Sequence, residues 1–362
     1  MKADVLALIN MKFSKKRPSK ETLNHPGIIY LASGIDPFSN TPEAYIKAYE
    51  ALGIDIINRV PDHPAPKPLE PGETKEFTED YWHTYLGVYD TFCRKKYPYS
   101  DSDEFFADNK MQLEYDKLIT PVPHRLDKKD IEKRERLIGD IGVYYYQIYT
   151  TLFMWGVEYL GWEVFLMAAL SDPGRFKEKF LDQAFEKSLK LIKTLIEVDC
   201  PFVFCHDDLA SVRGPIFDPS WYDEFIIPRY KILWEPVKTA GKKVVFVADG
   251  NMEVFLKPLR DIGVDGIMLE SPATNFDLIL EHFADKIIIG GIDTKILTFG
   301  TDIEIKRHVY DVHEKTKDLP GFVMSSCGGL HGNIPLENLE VYFDTRVETG
   351  HTLAGWRNNR DS

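Results

Sequence analysis

Residues 242–251 read KKVVFVADGN, and this stretch decides the fold. Val244 to Val247 form an unbroken apolar run, with lysines before it and Asp249, Gly250 and Asn251 behind it. So short and so evenly apolar a run predicts a strand buried on both faces, as in parallel sheets covered by helices. A carboxylate then stands at its carboxyl end.

Working outward, the same unit recurs. Upstream, residues 172–198 place Phe176, Phe180, Ala184, Leu191 and Leu195 near helical spacing and run into the short strand CPFVFCHDD (200–208). DPSWYDEFIIPRYKILWEPVKTAG (218–241) opens with start signals at Asp218, Pro219 and Ser220, closes at Gly241, and predicts a helix interrupted at Pro228. Downstream, helices around 252–262, 276–283, 303–317 and 335–350 alternate with the strands DGIMLES (265–271), KIIIGGID (286–293) and GFVMSSCGG (321–329). In the N-terminal half, TPEAYIKAYEAL (41–52) predicts a helix, GIDIINRVP (53–61) a strand, and RLIGDIGVYYYQI (136–148) contains another. Residues 64–133, rich in proline, charge and aromatics with weak periodicity, read as an inserted, lid-like segment. Seven or eight strands in βα order, with no GxGxxG turn, predict an α/β protein: one (βα)8 TIM barrel over 1–362, with an N-terminal helical extension.

Composition narrows the partners. The 362 residues carry 44 Lys and Arg against 57 Asp and Glu, a net charge of -13 that opposes nucleic acid and anionic membrane surfaces. The basic stretch MKFSKKRPSK (11–20) is too short to reverse this. No apolar run approaches the roughly 20 residues that span a bilayer, and no signal-peptide pattern is seen, so a cytoplasmic protein is expected. The four cysteines, Cys93, Cys200, Cys205 and Cys327, lack CxxC spacing and are expected to be free thiols.

In such a barrel, chemistry gathers at the carboxyl ends of the strands. There the chain carries His206, Asp207 and Asp208; Asp249 and Asn251; Glu270; Asp293; and Ser326 and Cys327. Asp, Glu, His and a thiolate are all competent zinc ligands, and three suffice for a catalytic site. Asp249 could equally cap the helix that begins near Met252. His206 beside two aspartates could act as a general acid or base, or be a satisfied structural histidine. Cys327 could ligate a soft metal or be an inert buried thiol. The run VYYYQIYTTLFMW (143–155) could line a pocket or pack the core. The absence of GxxxxGK[ST], HExxH, GxSxG and the protein-kinase motifs removes support for those classes.

The stretch from Val203 to Asn251, then IIIGGID, then VMSSCGGLHGNIPLENLEVYFD (323–344), resembles the uroporphyrinogen decarboxylase superfamily, with the likeness running from about Trp162 to Gly350. The superfamily's fold is a (βα)8 barrel, and it includes tetrapyrrole decarboxylases and corrinoid-dependent methyltransferases. The decarboxylases carry an Arg-rich motif of the RQAGR type. Here LASGIDPFSN (31–40) holds Asp36, a candidate substrate-binding residue, without those arginines.

The methyltransferase branch implies a zinc-binding His-x-Cys and a distal Cys. Val247 and Asp249 stand at the first two positions and Cys327 at the third. The resemblance, strengthened by GWEVFLMAALSDP (161–173), implies an O-demethylase-like methyltransferase: a small methyl donor, Asp249, Glu270 and Cys327 as ligands of a zinc Lewis acid, and cobalamin supplied by a partner corrinoid protein. His206, Asp207 and Asp208 would be the catalytic and orienting groups, with Asn251, Asp293, Ser326 and Asp36 on the substrate. The alternatives are a lyase that decarboxylates a tetrapyrrole and a non-catalytic paralogue that only binds a corrinoid protein.

Overall fold

The computed structural model describes residues 2–61, 64–66, 69–79, 81–113 and 128–353. The segment 64–133 assigned to an insertion lies in part outside them.

The strands in chain order are β1 (Ile56–Ile57), β2 (Thr74–Thr78), β3 (Tyr81–Thr84), β4 (Thr91–Arg94), β5 (Val143–Tyr144), β6 (Tyr146–Ile148), β7 (Phe202–His206), β8 (Ala210–Ser211), β9 (Gly214–Pro215), β10 (Lys243–Ala248), β11 (Gly266–Leu269), β12 (Ile287–Ile292) and β13 (Phe322–Ser326). Six of them form one parallel sheet in the order β13-β12-β11-β10-β7-β6. All five residues of β7 and β13 are buried, as their apolar runs require.

The remaining wall is built from shorter pieces. β5 runs directly into β6 and pairs in parallel with β1. Lys20 bridges to Ile56 on that strand, and Leu23 bridges to Leu330, just beyond β13. Backbone hydrogen bonds from Ile56 N to Ser19 O (3.0 Å) and from Leu330 N to Thr22 O (2.9 Å) fasten both sides. Residues 19–23 are therefore the first staves of a closed ring of eight, with β1, β5–β6, β7, β10, β11, β12 and β13 following in order.

Helices cover the outside. The predicted helix over 276–283 is found at Phe276–Phe283, and that over 303–317 at Asp302–Thr316, started by a Thr301 and Glu304 capping box. The helix expected over 218–241 is two, Pro219–Phe225 and Ile227–Thr239, and the break at Ile226 lets Pro228 fall in a first turn, where its missing N–H costs nothing. Residues 172–198 contain a π-helical turn, Lys177–Leu181, before the helix Asp182–Leu195.

Between β1 and β5 the chain leaves the barrel to form the antiparallel sheet β2-β3-β4. This excursion is tied to the rim: Val88 N donates to Asn24 O (2.8 Å) and Gly332 N to Leu86 O (2.9 Å). Arg94 Nη1 donates to Glu158 O (3.1 Å). Among the described residues no helix is long and apolar enough to cross a membrane.

Candidate active site

The tyrosine-rich run obeys a period of two. Tyr144 and Tyr146 point outward, edge to face at 4.9 Å, while Tyr145, Gln147 and Tyr149 face the barrel axis. The same alternation in β7 turns Phe204 and His206 inward, so Tyr145 stacks on Phe204 at 3.8 Å and Gln147 reaches His206.

His206 is 2% exposed and is held on every side. Its Nε2 lies 2.8 Å from Asp208 Oδ1 and 3.5 Å from Glu270 Oε2, its Nδ1 lies 2.9 Å from Gln147 Nε2, and Tyr149 meets the ring edge-on at 4.8 Å. Burial opposes a charge on this ring, but Glu270 and Asp208 outweigh it and push the imidazole up to about 9. A pKa so raised favours the imidazolium at neutral pH; both ring nitrogens are then donors, and the Gln147 amide has to turn from the orientation above to accept from Nδ1–H. Burial would raise Asp208, yet its hydrogen bond and charge pairing with His206 leave it below the usual carboxylate range. Nearby Glu158 is pushed by burial to about 7.

Asp207, one residue away, faces elsewhere. Its carboxylate accepts from Leu152 N (2.7 Å), Met154 N (2.8 Å) and the Tyr230 hydroxyl (2.5 Å), which fixes the start of the helix Phe153–Leu160. It is a structural anchor and corrects the expectation of a catalytic role.

Asp249 is exposed. Its backbone N–H donates to Asp208 Oδ1 (2.9 Å), and its own carboxylate accepts from Gly250 N (2.7 Å). The helix Glu253–Asp261 is not capped by Asp249. Asn251 Oδ1 accepts from Glu253 N at 3.0 Å. Asp293 caps the helix Thr294–Phe299 through Lys295 N (2.8 Å), and its N–H donates to His308 Nε2 (2.9 Å). Ser326 points out of the barrel toward Glu21. Asp36 is exposed in a turn closed on Phe38 N and joins none of these groups.

Zinc would require Asp249, Glu270 and Cys327 to converge. Among the described residues no group of three His, Cys, Asp or Glu is placed to hold a metal ion. Glu270 is turned to His206 and Asp249 to its own turn, so the three do not converge. As placed, these residues do not fit zinc. Cys327 instead borders a cavity of about 580 Å³ behind the rim, which Asp293 and His308 also line.

Three groups escaped the sequence reading. Gln147 was legible in principle from the alternation of the tyrosine run. Lys20 and Glu21 were not, because SKETL carries no apolar signal. Glu21 is fully buried against Arg346 (3.2 Å), Tyr342 and Ser326, pinning the first stave to the last helix, Leu336–Glu348.

Comparison with known proteins fits this architecture. The family model described as uroporphyrinogen decarboxylase (URO-D) matches residues 151–349. No curated protein matches. Among solved structures, a methyltransferase from Methanosarcina mazei superposes with a TM-score of 0.62 at 17% identity, covering 96% of this chain and 98% of that one. A xylose isomerase domain protein from Planctomyces limnophilus overlaps less, with a TM-score of 0.37 at 13% identity over 67% of this chain and 88% of its own. At 17% identity the likeness to the methyltransferase speaks for the fold alone.

Proposed function

Since this chain belongs to the uroporphyrinogen decarboxylase family and sets a buried imidazolium at the mouth of its barrel, we propose that it is a methyltransferase, with His206 as the acid that protonates the departing oxygen of a small methoxylated donor. The observation that carries this reading is the placement of His206 Nε2 between Asp208 and Glu270.

The chemistry follows from the charge states. A methyl ether gives up its methyl group poorly, because the C–O electron pair must go to an alkoxide or phenolate. A phenol's pKa is roughly 10, so an imidazolium near 9 transfers its proton to a departing phenolate downhill. The C–O bond breaks, its electron pair stays on oxygen, the proton moves from Nε2 to that oxygen, and the methyl group passes to the acceptor. In this reading a separate corrinoid protein presents the acceptor and supplies the nucleophile. Asp208 stabilises the imidazolium before transfer and holds the ring afterwards; Gln147 and Tyr149 fix its plane.

The test is direct. The purified chain, mixed with a corrinoid protein and a methoxyarene, should release one phenol per methyl group transferred. Release of carbon dioxide from a carboxylated tetrapyrrole, with no demethylation, contradicts the proposal and favours the decarboxylase branch.

A further inference from the structure

The acid of the proposed mechanism is only as well placed as the carboxylate beside it, and that carboxylate is set from a neighbouring strand. Asp208 Oδ1 takes two donors at once, His206 Nε2 at 2.8 Å and the backbone N–H of Asp249 at 2.9 Å. Both bonds are charge-assisted, hence stronger and more directing than neutral ones. Where Asp249 N stands therefore decides where Asp208 meets the imidazole. The work is done by a backbone N–H, so the Asp249 side chain plays no part in it.

Asp249 opens a turn, residues 249–252, that is gripped from two sides. On one side is the hairpin β8–β9. Asn251 N donates to Ser211 O at 2.8 Å, and Gly250, at φ 79°, lies so close to the hairpin that a Cβ there would collide with Ala210 O. On the other side is Thr274, in the loop between β11 and the helix Phe276–Phe283. Its Oγ1 accepts from Met252 N at 2.9 Å and donates to Gly250 O at 3.1 Å. Thr274 is 4% exposed and Met252 fully buried, so losing the hydroxyl strands two backbone groups away from solvent. Thr274 also borders the cavity of about 580 Å³, which gives the turn space to relax into once those bonds are gone. The loop that carries Thr274 is itself fixed, because Asn275 Oδ1 accepts from Asp277 N at 3.0 Å at the helix start. The contacts are continuous: Thr274 to the turn, Asp249 N to Asp208, Asp208 to His206.

We propose that Thr274, through the 249–252 turn, is a positioning residue for Asp208 and the His206 imidazole. It does no chemistry itself; it holds the peptide that holds the carboxylate. What the positioned ring then does rests on the methyl-transfer reading, whereas the positioning does not. The charged groups around the ring are Asp208, Glu270 and Asp207, together with Glu158, and Asp208 is the one that the turn holds.

The experiment reads the ring directly, by NMR of the full chain carrying 15N in its histidine rings, with His206→Gln to assign the signal. At about pH 8 the wild type should show His206 as an imidazolium, both ring nitrogens protonated. Thr274→Val, which keeps the shape and removes the hydroxyl, should move that signal toward the neutral ring and slow single-turnover demethylation by about tenfold. Thr274→Ser, which keeps the hydroxyl, should restore both. Should Thr274→Val fail to fold, Gly250→Ala, which pushes the same turn off the hairpin, should give the same spectral change. A Thr274→Val chain that melts earlier yet keeps the wild-type His206 signal would reveal a clamp for the fold alone and overturn the proposal. A Thr274→Ser chain that behaves as Thr274→Val would overturn it too. The spectral change in a chain whose wild type demethylates nothing would retain the positioning role and reject the mechanism.

Discussion

The half of the barrel from Phe202 onward and the half before it do the same structural work with opposite materials. β7, β10, β12 and β13 are five or six residues long and almost wholly buried, and their apolar side chains hold them in place. The early staves are a pair of bridges at Lys20 and Leu23, two residues of β1, and the broken β5–β6. There polar contacts hold the wall: Glu21 to Arg346, Arg346 Nη2 to Ser19 Oγ (2.6 Å), and Lys16 to the buried carboxylate of Asp55 (2.9 Å). The lesson is that a stave can be specified by hydrocarbon or by satisfied polar groups, and only the first kind announces itself in a sequence.

That comparison can be broken at several points, the largest effect first. His206→Gln keeps a hydrogen-bonding side chain but removes the acid, so methyl transfer from a methoxyarene should fall by about 10²–10⁴-fold, and the melting temperature near neutral pH should fall as well, because the cation that stabilises the fold below its raised pKa is gone. Next, Arg346→Met strands the Glu21 carboxylate in a dry interior and should destabilise the fold by about 3–5 kcal/mol in denaturant titration, whereas the double variant with Glu21→Leu should recover most of that loss. Recovery failing in the double variant would mean that the polar network does more than neutralise itself.

The pH dependence probes the other side of the mouth. Because His206 is held near 9, turnover should stay high through neutrality and decline as the pH rises through about 9. Asp208→Asn should move that decline toward the ordinary imidazole range of about 6.5. The stability linkage has the same sign. A histidine whose folded pKa exceeds its unfolded one stabilises fully below about 6.5, and that contribution is lost as the pH rises through 9.

The smallest effects fall on residues that looked most catalytic. Asn251→Ala should cost at most about 1 kcal/mol by removing the turn bond that holds Glu253 N at the start of the helix Glu253–Asp261, while turnover persists. Asp249→Ala and Cys327→Ala should leave both stability and the rate near wild type. A large loss of rate on either substitution would restore the metal reading.

Much of this architecture could be read before any coordinates. VVFVA at 244–248, IIIGGI at 287–292 and FVMSS at 322–326 are strands because a buried parallel strand has few other ways to be written. The rim positions of His206, Asp249, Glu270, Asp293 and Cys327 followed from the strand ends. Side-chain direction did not. His206 and Asp207 are adjacent, yet period-two alternation sends one to the axis and the other to a helix start. Asp249 was weighed as a cap, but its carboxylate is closed on Gly250 N, and the bond to Glu253 N comes from Asn251. Ser326 looked like a rim residue and turned outward because its partner, Glu21, lies in a stave with no apolar signature.

The account's central claim is that His206 donates the proton that lets the methyl group leave. The most direct measurement compares wild type and His206→Gln, in single turnover, on a series of methoxyarenes whose departing phenols become steadily more acidic. The loss caused by the substitution should shrink along the series, approaching none for the most acidic phenol, which needs no proton to depart. A loss of constant size across the series would mean that His206 only shapes the site, and the proposed chemistry would have to be abandoned.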